Sequence, residues 1–415
     1  MAVSVPAIHV FLFVSSCKTW MLGIKPGMTM GDVSGNNDRM RIAILGAGPA
    51  GLYLGYLIKR RAGSRVDVSI IEQNAADATF GFGVVFSDRA LEFLREDDQA
   101  TYAAIVPHME VWRDMTLNHR GERVVIDGIG FAAVGRLKLL QLLQARAASV
   151  GVVPTYNRAI ASLDELAGYD LIVGADGLNS LVRRTHAEAF GASVRLLTNR
   201  FAWFGTTKRF GTLSQTFVAT EQGHFNAHHY RYAPDMSTFI VETDAETFAR
   251  ARFAQMSEAE TRSYCEQVFA GALDGHPLIS NNSIWRQFPV VHNARWSHGN
   301  CVLLGDALHT AHFSIGSGTR LALEDAIALD RALAAHTGIP DALEAYEAAR
   351  RPILEKLVAG ANGSAEWYER FADEMRLAPL DFAMSYIMRS GRVDLAKLRA
   401  SSPGFVARYE RERTP

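Results

Sequence analysis

Cysteine is scarce in this chain. It holds 3 in 415 residues, at Cys17, Cys265 and Cys301, odd in number and far apart. Neither a disulfide framework nor a metal-ligand spacing can be built from them, and a reducing, cytoplasmic setting fits best. Long apolar runs are also missing: with no stretch of about 18 apolar residues, no membrane-spanning helix is expected. There is no excess of either charge. The formal net charge is −1, so nucleic acid and anionic membrane surfaces are not expected partners. Internal repeats and low-complexity segments are absent. What is present is a globular composition, 48% apolar and 21% charged, in a chain long enough for two or three domains or one composite fold.

Residues 1–39 do not read as part of a domain. The apolar run Ala7 to Val14 has no basic segment before it and no evident small-residue cleavage site after it. A disordered extension is therefore expected rather than a secretory signal.

The first clear strand is Arg41-Ile42-Ala43-Ile44-Leu45, followed by Gly46-Ala47-Gly48-Pro49-Ala50-Gly51, a helix to about Arg61, and a second strand, Val66 to Ile71, ending in Glu72. This is a βαβ unit with Gly-x-Gly-x-x-Gly at its turn. The first glycine permits the turn, the second lets the backbone approach a pyrophosphate, the third allows close helix packing, and the acid takes ribose hydroxyls. It predicts dinucleotide binding without separating FAD from NAD.

A second stretch has the same logic. Cys301 to Leu304 reads as a buried strand running into Gly305-Asp306, a turn through His309, His312, Phe313 and Gly316, and a helix beginning near Gly318. Its glycines admit a ligand to the backbone, and the helix start favours negative charge. A third strand, Tyr169 to Gly174, ends in Asp176-Gly177. At the carboxyl ends of parallel strands, Asp176 and Asp306 would face one crevice.

Other segments leave two readings open. Gly81 to Phe86, with Val84 and Val85, suits either a loop beside a flat ring or a buried turn. Arg136, opening an amphipathic helix with Leu137, Leu140, Leu143 and Ala147 on one face, either reaches a cofactor phosphate or is solvated. Val111 to Asp127 alternates like a hairpin about Asn118 to Gly121. The segments Phe201 to Thr206 (with Trp203), Gln215 to Thr220, His224 to Tyr232 and Thr238 to Glu242 read as antiparallel strands. The face His224, Asn226, His228, Tyr230 and Tyr232 is either the wall of a substrate site or half-solvated. Helices are expected over about 245–255 and 257–271, and from Leu321 to Ala335. Another runs from Asp341 to about Phe371, where Pro352 should kink or divide it. The mildly basic stretch from Arg389 onward reads as a solvated surface, or as one that meets the phosphates of a large substrate.

Together, Gly46-x-Gly48-x-x-Gly51 with Glu72, Asp176-Gly177-x-x-Ser180-x-Val182-Arg183, and Gly305-Asp306 resemble the single-component FAD aromatic hydroxylases of the p-hydroxybenzoate hydroxylase type. The closer likeness is to salicylyl-CoA 5-hydroxylases. It is carried by Phe80 to Asp88, Met236 to Glu242 and His309 to Thr319, segments that also resemble an indole-acting hydroxylase of the violacein pathway. The resemblance implies an α/β fold: a Rossmann-like FAD-binding domain of the p-hydroxybenzoate hydroxylase and glutathione reductase type, an inserted, mostly antiparallel β-sheet substrate domain, and C-terminal helices. The boundaries expected are 40–190 and 286–345 for the two FAD-binding parts, the hairpin near 111–127 included in the first, 191–285 for the substrate sheet and 346–415 for the helices.

The resemblance also implies roles. Gly46, Gly48, Pro49, Ala50 and Gly51 line the pyrophosphate, Glu72 holds the adenosine ribose, Arg136 reaches the cofactor and Asp306 the ribityl chain. Gly316, Ser317, Gly318 and Thr319 offer backbone N–H groups to the flavin, with Val85 nearby. Asp176 either touches the nucleotides or is structural. Val84, Trp203, Asn226, Tyr230 and Phe313 are expected at the substrate. His228, His309 and His312 are candidate bases, since histidine titrates near neutrality, or pocket-shaping residues. Phe313 and Arg320 depart from the proline and asparagine of many relatives.

The activity implied is hydroxylation of an aromatic acyl-CoA thioester, salicylyl-CoA to gentisyl-CoA, with dioxygen and with NADH or NADPH as transient electron donor, through a flavin hydroperoxide. A hydroxylase of an indole or other aromatic secondary metabolite is the alternative, and a non-hydroxylating flavin reductase or dehydrogenase a remote one. A monomer or homodimer is expected.

Overall fold

The computed structural model describes residues 39–87 and 91–413. The extension expected over residues 1–39 lies, apart from Arg39, outside the described residues. Five strands form one sheet in the order Ser297–His298, Cys301–Leu303, Leu171–Gly174, Met40–Leu45, Val66–Ile71, all parallel except the first. Ile42, Ile44, Leu171, Val173, Val302 and Leu303 are almost wholly buried, as expected when helices cover both faces of a parallel sheet. The register sets Leu45 opposite Gly174 and Gly174 opposite Leu303. The three ligand-type motifs therefore begin level, at the carboxyl ends of three adjacent strands. Helix Pro49–Ala62 packs on helices Arg136–Ala148 and Gly318–Ala335.

A second, seven-stranded sheet has the order Leu278–Ser280, Arg200–Thr206, Met236–Thr243, Gly223–Ala233, Leu213–Thr220, Met115–His119, Glu122–Ile126. The four strands expected between residues 200 and 243 are all present. The hairpin turns at Arg120-Gly121, both at positive φ, 51° and 77°, the geometry of a type I′ turn. It sits on the edge of this larger sheet rather than with the dinucleotide half, and Met115 to His119 pair in parallel with Leu213 to Phe217. The cause is burial: Met115, Leu117, Val124 and Ile126 share a core with Leu213, Phe217 and Phe382. One face of the sheet packs Phe204, Phe225, Phe239 and Val241 against Cys265 and Phe269. The other carries Phe201, Trp203, His228, Ile240 and Glu242, brought level by the pairs Phe201–Glu242, Trp203–Ile240 and His228–Ile240.

Helix Ile339–Glu369 runs for 31 residues with Pro352 inside it. It is not divided. Proline removes one N–H from the ladder, but Tyr346, Arg350 and Leu354, on either side of it, are buried and hold both halves on the core. Helices Pro379–Met388, Leu395–Ser401 and Pro403–Arg413 follow. Among the described residues, no helix is long and apolar enough to cross a membrane.

Candidate active site

The turn at Gly46 is built by exclusion. Gly46 has φ +101°, and a Cβ there would strike the carbonyl of Ala175; one on Gly51 would strike the carbonyl of Gly46. At Gly48 a Cβ would meet nothing within 4 Å. Gly46 is thus required by the neighbouring strand end and Gly51 by the turn itself, and Gly48 leaves open space over the helix that starts at Pro49. That helix has no acid in its first turn and no side-chain cap, so its first N–H groups are free for an anion. Glu72 fastens the same loop, its carboxylate accepting from Ala47 N at 2.9 Å and Asn74 N at 2.8 Å.

Arg183 joins the other two motifs. Its guanidinium donates to the carbonyl of Ala307 at 2.8 Å and to that of Leu178. Asp176 accepts from Leu181 N at 2.6 Å and so starts helix Leu181–Thr185, while its Oδ1 is buried without a partner. Beneath the Gly305 turn, Asp325 accepts from His309 Nε2 at 2.7 Å, Arg350 Nε at 2.8 Å and Gly305 N at 3.2 Å. Burial alone would raise its pKa, but His309 and Arg350 hold it below the usual carboxylate range.

Arg136 and Asp306 are open to solvent, yet surrounding protein desolvates both, lowering the pKa of the arginine and raising that of the acid. Each also acts on the other's charge. Both side chains are thus accessible to solvent while flanked by protein. Gly316 packs directly on Val85, where a Cβ would lie 3.0 Å from Val85 Cγ1. Helix Gly318–Ala335 starts there with no side-chain cap and no acid in its first turn.

The sheet face supplies an aromatic, histidine-bearing wall. The Phe313 ring lies 4.9 Å from that of Phe201, 5.1 Å from His228 and 4.2 Å from His312. Phe288 lies 4.8 Å from His312. His228 is buried with both nitrogens engaged, Nδ1 with Gln215 Nε2 at 2.9 Å and Nε2 with Glu242 at 3.2 Å. Burial pushes it down to about 3, and His312 to about 4. Burial raises the pKa of Glu242, against the pull of His312 and of the Asn199 amide, which donates to it at 3.0 Å.

Comparison with known proteins points one way. An FAD binding domain family matches residues 167–361. A salicyloyl-CoA 5-hydroxylase from a Streptomyces species is 41% identical over 384 residues, spanning 89% of this chain and 73% of the relative. The 3-hydroxy-4-methyl-anthranilyl-[aryl-carrier protein] 5-monooxygenase of Streptosporangium sibiricum is 35% identical, over 88% of this chain and 99% of that one. The chain belongs to the FAD-dependent aromatic monooxygenases. The crystal structure of PqsL from Pseudomonas aeruginosa, described as a probable FAD-dependent monooxygenase, shares the fold, with TM-score 0.64 at 20% identity over 84% of this chain and all of that one.

FAD is the cofactor of this monooxygenase, and the residues present fit it. An elongated dinucleotide needs a free helix start for its phosphates, and Gly48 leaves that space open. Polar groups along its length would come from Arg136 and Asp306, and helix Gly318–Ala335 offers a second start with no side-chain cap and no acid in its first turn.

Other expected residues have different duties. Tyr230 donates its hydroxyl to Gly83 O at 2.9 Å, fixing the Val84–Val85 strand. Asn226 is fully buried and donates to Gln215 Oε1 at 3.4 Å. Sequence reasoning named no role for Glu242 or Arg389. A signal for the first was available, since Glu242 is the one charged residue of strand Met236–Thr243. Arg389, expected on a solvated surface, is half-buried and donates to Ser364 and to the carbonyl of Ser314. Its reach to residue 314 follows from the packing of helix Pro379–Met388, which periodicity does not encode.

Proposed function

We propose that this monooxygenase hydroxylates an aromatic acyl-CoA thioester, salicylyl-CoA to gentisyl-CoA, at carbon 5, using NADH or NADPH and dioxygen. The observation that carries the reading is the aromatic and histidine wall of Phe201, Phe288, Phe313, His228 and His312, facing the turn that leads to Gly316. A flat, hydroxyl-bearing ring suits that wall, and the relative that is 41% identical is named for the same substrate. FAD, when bound, supplies the activation of dioxygen with electrons from the nicotinamide.

The chain's own residues bind, orient and exclude water. We assign Gly46, Gly48, Pro49, Ala50 and Gly51 to the pyrophosphate, Glu72 to the adenosine ribose, Arg136 and Asp306 to the rest of the cofactor's length, and Gly316 to Thr319, beside Val85, to the flavin edge. The start of helix Gly318–Ala335 would stabilise negative charge on the ring system. Val84, Trp203 and Phe313 would shape the substrate space. Tyr230 and Asn226 support that space from behind. His309 and His228 are committed to Asp325 and to the Gln215–Glu242 pair, which leaves His312 as the histidine for the substrate. The division at 190, 285 and 345 belongs to the same proposal, with the hairpin near 111–127 counted with the substrate sheet.

A coupled assay compares salicylyl-CoA, free salicylate and tryptophan, following nicotinamide oxidation and identifying products by mass spectrometry. Turnover of the thioester well above the other two is expected. Equal turnover of free salicylate removes the CoA reading, and preference for tryptophan favours an indole hydroxylase.

A further inference from the structure

His312 differs from the other buried histidines in what its nitrogens do. Nδ1 lies 2.8 Å from Ser314 Oγ and 3.4 Å from Ser314 N, which donates to it. Nε2 has no hydrogen bond among the described residues, yet it is not one of the sealed, unpartnered nitrogens, as Nδ1 of His119, His229 and His309 are. That nitrogen keeps some accessible surface on an otherwise buried ring, with Glu242 as the carboxylate acting on it.

The chain of contacts behind Nδ1 has a fixed direction. Ser314 Oγ lies 2.8 Å from Ser364 Oγ, and Arg389 Nε donates to Ser364 Oγ at 2.9 Å. Arginine is a donor only and keeps its proton. Ser364, wholly buried, therefore accepts from Arg389 and gives its own hydrogen to its remaining partner, Ser314. Ser314 in turn gives its hydrogen to His312 Nδ1. Arg389 cannot easily turn away: it donates to Tyr386 O at 2.7 Å and Ser314 O at 3.0 Å, and lies 3.8 Å over the Tyr386 ring.

We propose that Arg389, Ser364 and Ser314 form a one-way hydrogen-bond chain that holds His312 as its Nε2–H tautomer, making that N–H a preset donor to an anionic or carbonyl oxygen of the bound aromatic substrate. His312 is then a binding donor rather than a base, and the other three are positioning residues. The inference deepens the functional reading above and rests on it for the identity of the substrate. Burial, which keeps the ring neutral near pH 7, agrees with a single N–H.

Two measurements test it. In the FAD-loaded enzyme labelled with 15N-histidine, NMR reads the tautomer of each ring, with His312→Gln removing one signal set to identify it. An unprotonated Nδ1 and a protonated Nε2 are expected for His312, shifting to a mixture in Ser364→Ala. A protonated Nδ1 in the wild type, or no change in Ser364→Ala, overturns the chain. In the assay with salicylyl-CoA, His312→Phe should raise KM about ten-fold or more. His312→Gln, whose amide keeps a donor, should recover most of it. Equal effects of Phe and Gln overturn the donor role. If salicylyl-CoA is no substrate at all, the functional reading fails while the tautomer measurement still decides the chain.

Discussion

Gly46 and Gly48 stand two residues apart and should respond oppositely to one methyl group. At Gly46 the backbone is left-handed and the space is filled by the Ala175 carbonyl, so Gly46→Ala is expected to destabilise by about 2 kcal/mol or more. At Gly48 the space is open; Gly48→Ala should leave the melting temperature of FAD-free protein within about 2 °C and weaken FAD binding instead. Thermal unfolding and flavin titration separate the two, and a large loss of stability in Gly48→Ala would count against an open cradle. The buried histidines predict an acid limit. His228 and His229 are pushed down to about 3 and His312 to about 4. Unfolded histidine takes up a proton near pH 6.5. Below that pH the unfolded chain gains protons that the fold refuses, so stability present above about pH 6.5 is lost on the way to pH 4, at about 1.4 kcal/mol per pH unit for each histidine. Glu242, raised by burial, opposes one of the three. The melting temperature should therefore fall well before carboxylates titrate, and His229→Gln should flatten the fall. A flat profile between pH 6.5 and 4.5 contradicts neutral burial.

Among elements, the strands and helices were legible wherever one face repeats. Alternation marks the strands around Phe204 and Phe239, and three- and four-residue spacing marks helix Gly318–Ala335. Partners were less legible. The hairpin about Arg120-Gly121 carries its turn chemistry in its own residues, but not the choice of Leu213 to Phe217 as its neighbour, which depends on a surface formed by distant chain. Pro352 shows the same limit. Its local cost is real, yet the buried residues around it keep the helix whole. Because Pro352 is exposed, Pro352→Ala should restore a ladder bond and raise stability by on the order of 1–3 kcal/mol, without altering FAD affinity. A lower melting temperature would mean that the ring itself is packed to advantage.

For the whole molecule, the proposed cradle would join residues 46–51 to residues 305–319, which approach each other at Ala50 and Gly305, so cofactor binding and folding would be coupled. Removing FAD should lower the unfolding temperature, and free FAD at 100 times its dissociation constant should return about 2.7 kcal/mol; no shift at saturating flavin contradicts a site formed from both stretches. The sequence by itself determined the dinucleotide cradle and the three strand-end motifs, because a tight turn, a free helix start and an acid at a strand end are short-range demands met by residues close in the chain. Only the tertiary structure decided what the histidines do. Asp325 takes His309, Gln215 and Glu242 take His228, and Ser314, Ser364 and Arg389 leave one nitrogen of His312 free. A side chain's hydrogen-bond partners are set by packing between segments, and no local pattern records them.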